Sequence, residues 1–354
     1  MKNTADKKTT PKSQRKNRLF FIIVIAVLFA AAIIFILIHY GLFSSNQNQV
    51  AITVAWNPGS ISDDIARVFA SAPTTDTEMT IKNVTGANGA TAANAVFQNQ
   101  HDGTSLLSTN LSAFVTSEAI GFAESSHEDW TAWLCAFSPA VVVVANDSPY
   151  QTMNDLITTI QQNPGEIRCA NEGFGTVSFI ASELLSLNAA LEIDHISFSG
   201  SASAVNALFN DEADFSILLT SDVAGYIRAE HLRAIGVFSK TDFALHNGNI
   251  EVIVPAIGGI DNRLDAVLPF GEYFGIFIPA DTPLSLLSGL DSFIKTAAGT
   301  DEFDAFTQNA GLVPITPDRQ SNEQIIGNFA SIVCWTLYDT GFLPTNPDTL
   351  GISR

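Results

Sequence analysis

The sequence predicts an α/β protein with two lobes, and three observations indicate this fold class. From Val50 onward, short runs rich in β-branched residues alternate with segments whose apolar residues recur at helical spacing, which is typical of layered α/β folds. About 300 residues follow that position, more than a single hydrophobic core usually holds. The chain is also 46% hydrophobic and only 15% charged, so it has enough apolar surface for two cores.

The alternation predicts nine strands and nine helices after residue 49. The strands are 50–55, 79–84, 105–108, 139–145, 167–170, 192–198, 215–219, 233–237 and 273–278. The helices are 62–71, 90–99, 152–162, 177–187, 201–210, 223–229, 285–298, 300–310 and 322–340. We expect one lobe to comprise 50–146 together with 270–354 and the other to comprise 147–269, with hinges near Asn146 and Phe270.

The N-terminal segment predicts a membrane anchor. Residues 1–18 contain seven basic residues and a single acid, Asp6, and residues 19–38 are an unbroken apolar run of 20 residues. At 1.5 Å per residue this run spans a bilayer core of about 30 Å. The positive flank should hold the N-terminus in the cytoplasm and place the rest of the chain outside as a single-pass membrane protein, with residues 39–49 as a tether. A cleaved signal peptide is the alternative, but its apolar region is usually shorter than this run.

The charge distribution excludes some partners. From Leu19 onward the chain has 10 basic and 35 acidic residues, so this part repels nucleic acid and anionic lipid surfaces. The six histidines and three cysteines show no zinc-binding spacing, and we predict no metal and no cofactor. Cys135, Cys169 and Cys334 are interpreted as buried thiols, with at most one disulfide among them.

Three junctions between a strand and a helix contain glycine together with hydroxyl or amide side chains. They lie at 56–64, 83–90 and 171–178. Unpaired backbone N–H groups and the positive end of the helix dipole meet at such helix N-termini, which therefore bind anions. Each junction by itself is also explained as an ordinary helix cap. Together they raise the hypothesis of a shared anion-binding cleft.

The three junctions belong to an ordered series of short blocks that runs from Ile52 to about Phe342. The blocks are Trp56-Asn57-Pro58-Gly59-Ser60-Ile61-Ser62-Asp63, Gly86-Ala87-Asn88-Gly89, Asp102-Gly103-Thr104-Ser105-Leu106, Asn163-Pro164-Gly165, Gly173-Phe174-Gly175-Thr176-Val177-Ser178, Ala213-Asp214-Phe215 and Phe274 to Pro283. In this order and spacing the chain resembles the substrate-binding proteins of tripartite tricarboxylate transporters. The resemblance covers essentially all of the chain after the tether.

The resemblance implies a two-lobed, type II periplasmic-binding-protein fold that closes over a small carboxylate. It also implies transfer of that organic anion to multi-span membrane permease subunits. Carried over by position, the first loop would supply ligand contacts from Trp56, Asn57, Gly59, Ser60 and Asp63. The loop of the opposite lobe would supply Gly175, Thr176 and Ser178, and Phe198 would add to an apolar wall with Trp56.

The chain departs from the family pattern at three places. Ser60 stands where a second glycine is usual, Phe179 stands where histidine is frequent, and Phe198 begins a Phe-Ser-Gly run in place of Tyr-Lys-Gly. The loss of the histidine at Phe179 and of the tyrosine and lysine at Phe198 and Ser199 favours a ligand that is more apolar, or less charged, than a tricarboxylate. Packing differences away from the ligand explain the same substitutions equally well.

Two other function classes are alternatives to a transport receptor. An enzyme is disfavoured because Ser201 lacks the usual nucleophile turn, and because residues 173–178 only approximate a dinucleotide-binding loop. A membrane-anchored ligand sensor with the same fold and no permease partner remains the alternative, since an anchor serves both roles.

Overall fold

The computed structural model describes residues 49–72, 78–247, 250–260 and 262–354. The predicted leader, anchor and tether, apart from residue 49, lie outside the described residues. Within the described part of the chain, no helix combines the length and apolar character needed to cross a bilayer.

All nine predicted strands and all nine predicted helices have counterparts in the structure. The strands are β1 (Gln49–Val54), β2 (Glu78–Asn83), β3 (Ser105–Asn110), β4 (Trp130–Ala145), β5 (Arg168–Asn171), β6 (Asp194–Ser197), β7 (Phe215–Leu219), β8 (Leu232–Val237), β9 (Phe243–Asn247), β10 (Ile250–Val254), β11 (Gly271–Pro279) and β12 (Val313–Pro314). The helices are α1 (Ile61–Ser71), α2 (Ala90–Phe97), α3 (Leu111–Ala119), α4 (Met153–Gln162), α5 (Val177–Ala189), α6 (Ser201–Phe209), α7 (Thr220–Arg228), α8 (Asn262–Ala266), α9 (Leu284–Ala298), α10 (Asp301–Ala310) and α11 (Arg319–Asp339).

Ten of the described strands form one continuous sheet, and β4 divides it into two lobes. On one side lie β2, β1, β3 and β11, and we call this half, with β12, the first lobe. On the other side lie β7, β5 and β6, and we call this half, with β8, the second lobe. The strands β1, β2 and β3 pair in parallel, and so do β5, β6 and β7. The fold is therefore the expected two-lobed α/β arrangement.

Strand β4 belongs to both lobes. Its first part, Trp130 to Pro139, pairs antiparallel with β11, and its second part pairs with β7 and β8 from Ala140 onward. At this change of partners the Ala140 N–H donates to the Phe270 carbonyl at 3.1 Å, and the Phe238 N–H donates to the Ala140 carbonyl at 2.8 Å. Two chain segments thus pass side by side between the lobes.

Three groups of buried apolar side chains hold these layers together. In the first lobe, Phe69 and Phe303 pack on one face of the sheet around the fully buried Trp133. In the second lobe, Val141 and Leu218 pack with α6 and α7. The third group is shared between the lobes, because α11 contacts both α3 and α5. Cys135, Cys169 and Cys334 are all buried and free, as the sequence indicated.

Candidate functional site

The carboxyl ends of four strands, two from each lobe, point toward one region. Strands β1 and β3 end there in the first lobe, and β5 and β7 end there in the second. In parallel α/β sheets ligands bind at the carboxyl ends of strands, because the following helices begin at that edge. Here the helices α1, α3, α5 and α7 follow those four strands.

A cavity of about 400 Å³ lies at this edge, and residues from both lobes line it. The N-termini of all four helices reach the cavity. The lining residues at these ends are Ser60, Ile61 and Ser62 of α1, Ser112 and Ala113 of α3, Gly175, Thr176 and Val177 of α5, and Ser221 and Asp222 of α7. Their positive dipole ends and first-turn amides make this a place where an anionic group is stabilised.

The first loop is shaped by its glycine and by a helix cap. Gly59 has φ of +83°, a conformation that favours glycine. Ser60 caps α1, because its hydroxyl accepts a hydrogen bond from the Asp63 N–H at 3.3 Å. The N–H groups of Ile61 and Ser62 have no acceptor among the described residues, so they remain available to a ligand.

The opposing loop has the same construction. Gly175 has φ of +81°, and Thr176 caps α5 by accepting a hydrogen bond from the Phe179 N–H at 3.2 Å. The Thr176 hydroxyl also donates to the Gly173 carbonyl at 2.7 Å, which closes the turn. As a result, the two loops present capped helix N-termini to the same cavity.

Five of the nine residues predicted as ligand contacts line this cavity. They are Trp56, Gly59, Ser60, Gly175 and Thr176. The indole N–H of Trp56 donates to the Asn110 side-chain oxygen at 2.7 Å, which fixes the ring at the cavity wall.

Asp63 and Asn57 belong to the same loop but do not line the cavity. Asp63 is 1% exposed, and its carboxylate accepts hydrogen bonds from the Gly59 N–H at 2.9 Å, from Asn83 at 2.9 Å and from the Arg67 Nε at 2.7 Å. Burial raises the Asp63 pKa, but the bonds from Arg67, Gly59 and Asn83 outweigh it and lower the pKa below its ordinary value. Asp63 thus stabilises the loop from the protein interior. Asn57 is exposed to solvent.

Ser178 and Phe198 also lie away from the cavity lining. The Ser178 hydroxyl is fully buried, donates to the Ile217 carbonyl and accepts from the Glu172 N–H at 3.2 Å, so it ties α5 to β7. Phe198 is half-buried against the apolar group of the second lobe. Phe179, another departure from the family pattern, is buried between Phe174 and Phe342. At Phe179 and Phe198, packing accounts for the aromatic side chains.

The structure adds three acidic residues to the lining that the sequence interpretation did not select: Glu172, Asp222 and Glu272. Glu272 is 2% exposed, and it accepts hydrogen bonds from the Ser112 N–H at 3.0 Å and the Asn110 amide at 2.8 Å, and from the Ser112 hydroxyl. Burial raises the pKa of Glu272 to about 7, although these bonds oppose the rise. Glu272 therefore ties the N-terminus of α3 to β11 at the cavity.

Glu172 and Asp222 are the other two acids, and they lie on the side of the second lobe. Burial raises the pKa of Glu172, the carboxyl groups of Asp222 and Glu272 add to the rise, and Ser201 opposes it. Burial also raises the pKa of Asp222. Among the described residues, no hydrogen-bond donor contacts the Asp222 carboxyl, and no group of His, Cys, Asp and Glu has the arrangement of a metal site.

A cavity that lies between two lobes, at the carboxyl ends of strands and beside helix N-termini, is where α/β proteins commonly bind small ligands. Residues 66–331 match the tripartite tricarboxylate transporter family receptor, and the chain therefore belongs to this family of extracytoplasmic receptors. The resemblance found in the sequence is thereby confirmed. Because the members of this family are solute-binding proteins, the enzyme interpretation is set aside.

Comparison with individual proteins gives the same picture. A UPF0065 protein of Bordetella pertussis is 26% identical over 275 residues, covering 77% of this chain and 83% of that protein. Among solved structures, a ligand-free TctC solute-binding protein from Polaromonas has a TM-score of 0.71 at 18% identity, covering 83% of this chain and 99% of that one. MatC from Rhodopseudomonas palustris, solved with bound malate, has a TM-score of 0.62 at 18% identity and covers 83% and 98%.

Proposed function

We propose that this protein is an extracytoplasmic receptor that captures a small organic carboxylate in the cavity between its lobes. The observation that carries the proposal is the convergence of four helix N-termini on that cavity, with the N–H groups of Ile61 and Ser62 free to bind an anion. The bound malate in MatC supports a carboxylate as the ligand class. The ligand contacts would come from Trp56, Gly59, Ser60, Gly175 and Thr176, with Asp63 and Ser178 holding the loops that carry them.

We further propose that the lobes close about the two neighbouring chain crossings at Ala140 and Phe270. The hydrogen bonds between these segments support a common axis there. The sequence placed the hinges near Asn146 and Phe270, with lobes of 50–146 plus 270–354 and of 147–269. A crossing at Ala140 moves the first boundary to the point at which β4 changes partners.

The receptor would deliver its ligand to the multi-span permease subunits of a tripartite transporter. Residues 19–38 would anchor it in the membrane as a single-pass segment, with residues 1–18 in the cytoplasm and 39–49 as the tether. A permanent anchor keeps a receptor near its permease, and it would equally suit the alternative, a ligand sensor that has no permease partner.

Ligand binding is tested with the full-length chain in a mild detergent. Thermal unfolding is measured against a panel of mono- and dicarboxylates, aromatic acids and amino acids, because a ligand that binds only the native state raises its stability by mass action. Ser221→Phe narrows the cavity and should abolish the shift, whereas Ser292→Phe adds the same ring on an exposed part of α9 and should preserve it. A panel without any shift would contradict the receptor proposal.

Transport is tested separately from binding. Cells lacking the chain should lose uptake of whichever compound stabilises it, and uptake should return with the full-length chain but not with Ser221→Phe. Unchanged uptake, together with tight binding in vitro, would favour the sensor.

A further inference from the structure

The charge of the cavity lining is opposite to what a dicarboxylate requires. The lining contains the three acids Glu172, Asp222 and Glu272, whereas no lysine, arginine or histidine of the described residues lines it. A ligand with two carboxylates would place one at the helix N-termini and leave the other near these acids without a cationic partner. The ionised forms of these acids repel a carboxylate, most strongly where burial excludes water.

The acids differ in how fully the protein satisfies them. Glu272 accepts hydrogen bonds from Ser112 and Asn110, so its oxygens are engaged. Ser201 opposes the raised pKa of Glu172 through its hydroxyl and N–H. No donor among the described residues contacts the Asp222 carboxyl. Asp222 is thus the acid best able to accept a hydrogen bond from a ligand.

A second and independent feature lies on the opposite wall. Ser62 is 1% exposed and lines the cavity, yet its hydroxyl has no hydrogen-bond partner among the described residues. A buried hydroxyl without a hydrogen-bond partner lowers the stability of the protein. We therefore expect a ligand to supply the hydrogen-bond acceptor for the Ser62 hydroxyl. Beside it are the N–H groups of Ile61 and Ser62, for which the described residues provide no acceptor. This wall offers donors for a carboxylate.

We propose that the ligand is a zwitterion whose carboxylate binds the Ser62 hydroxyl and the α1 N–H groups while its ammonium group binds Asp222 and Glu172. This inference rests on the proposed function, since it specifies the class of carboxylate that the receptor takes. It predicts that a simple dicarboxylate binds more weakly at neutral pH than the amino acid with the same spacer. The chemical class is that of an amino acid, with the two charged groups separated by the width of the cavity.

The titration of the acids supports this assignment. Burial raises the pKa of Glu172, Asp222 and Glu272, and no cationic side chain in the described part of the chain lines the cavity to lower these values. An ammonium group in the cavity favours the ionised carboxylates and so lowers their pKa values. By linkage, each unit by which the ligand lowers such a pKa corresponds to about tenfold tighter binding to the ionised than to the protonated form of that acid.

A different use of the same acids predicts the opposite pH dependence. If Glu172 and Asp222 bound a second carboxylate, they would have to be protonated and donate hydrogen bonds. Dicarboxylate binding would then strengthen as the pH falls from about 8 to 5. Binding of a zwitterion should instead weaken over that range, because protonation removes the partners of its ammonium group.

The experiment compares two matched ligand series by calorimetry on the full-length chain in detergent. One series is the ω-amino acids with two to five methylene groups, and the other is the dicarboxylates with the same spacers; α-amino acids are included. We expect the best amino acid to bind at least tenfold more tightly than its matched dicarboxylate at pH 7.5. Asp222→Asn should remove that preference, and Glu172→Gln should reduce it. Glu166→Gln, an exposed acid outside the lining, is the control and should leave it unchanged.

Each outcome bears on a distinct claim. Tighter binding of dicarboxylates, or equal binding of both series in the wild-type chain, would overturn the zwitterion assignment and leave the carboxylate receptor intact. Retention of the preference in both Asp222→Asn and Glu172→Gln would overturn the assigned residues. Failure of both series and of the wider panel would overturn the receptor proposal itself.

Discussion

Replacement of Ser62 by alanine tests whether the cavity wall at the N-terminus of α1 binds a ligand. The Ser62 side chain is buried with no hydrogen-bond partner for its hydroxyl among the described residues. An unsatisfied buried polar group costs about 1–3 kcal/mol. Ser62→Ala removes that cost, so we expect the free energy of unfolding of the empty receptor to stay the same or to rise by about 1 kcal/mol.

Ligand affinity should change in the opposite direction. A hydrogen bond to a charged group such as a carboxylate contributes about 1.5–3 kcal/mol, so its loss weakens binding by about 10- to 150-fold. The two quantities are measured separately, by urea unfolding of the empty chain and by calorimetric titration with a compound that stabilises the wild type.

Ser108→Ala is a matched control for this experiment. The Ser108 hydroxyl is fully buried and donates to the Ser62 carbonyl at 2.7 Å, but Ser108 does not line the cavity. Its loss leaves a buried carbonyl with one bond fewer and should lower the free energy of unfolding by about 1–2 kcal/mol. If Ser62→Ala were destabilised as much as Ser108→Ala and bound ligand as well as the wild type, the Ser62 hydroxyl would be structural and the reasoning wrong.

Three further predictions follow from the loop, the buried acid and the sheet. Asp63→Ala removes a buried acceptor for several hydrogen bonds, so it should lower the free energy of unfolding, measured in urea, by about 2–4 kcal/mol. The control is Asp64→Ala, whose carboxylate makes none of those bonds and which should lower the same free energy by less than about 1 kcal/mol. Burial raises the Glu272 pKa to about 7, so the stability that protonated Glu272 contributes is complete below the ordinary pKa of the group and is lost as the pH rises through 7. The melting temperature should therefore fall between about pH 5 and 8. In Glu272→Gln it should fall less steeply. Gly275→Ala places a Cβ 2.4 Å from the Trp133 carbonyl oxygen, so it should reduce the free energy of unfolding by about 1–3 kcal/mol in the same urea assay.

The sequence alone predicted the order of the helices and strands well, because most of them carry a clear period. Two elements show where this signal fails. Helix α3 was missed since nearly all its residues are buried, which leaves no polar face to mark a helical period. Strand β4 was predicted to begin at Pro139, but it begins at Trp130. Proline usually marks a strand end, and here it lies inside the strand where the hydrogen-bonding partner changes.

The candidate site was predictable in its location but only partly in its residues. The glycine turns predicted two loops at helix N-termini, because such a turn is a local property, and both loops line one cavity in the structure. Asp63 and Ser178 were assigned to the ligand, yet their side chains point into the protein and hold the loops. A carboxylate or hydroxyl in a loop can serve either role, and only the fold decides which.

The acids of the lining were missed for a related reason. Glu172 lies inside one of the glycine turns, and Asp222 and Glu272 stand at the start of α7 and β11. Acids at helix starts and strand ends are common on protein surfaces, so nothing local distinguishes a buried one. These three acids come together only through contacts between residues that are far apart in sequence, such as Ser112 and Glu272.

The shared strand β4 has a consequence for attempts to divide this receptor. Each lobe completes its sheet with a part of the same sixteen-residue strand, and the chain crosses between the lobes again at Phe270. A fragment that ends near Pro139 would leave β3 and the first part of β4 without their partner β11. A fragment that starts there would leave β11 without both of those partners. Exposed strand edges of this kind promote aggregation. Split reporters or single-lobe fragments should therefore fail to fold, and a fluorescent domain is better inserted in an exposed turn such as that at Gly165, which leaves every sheet intact.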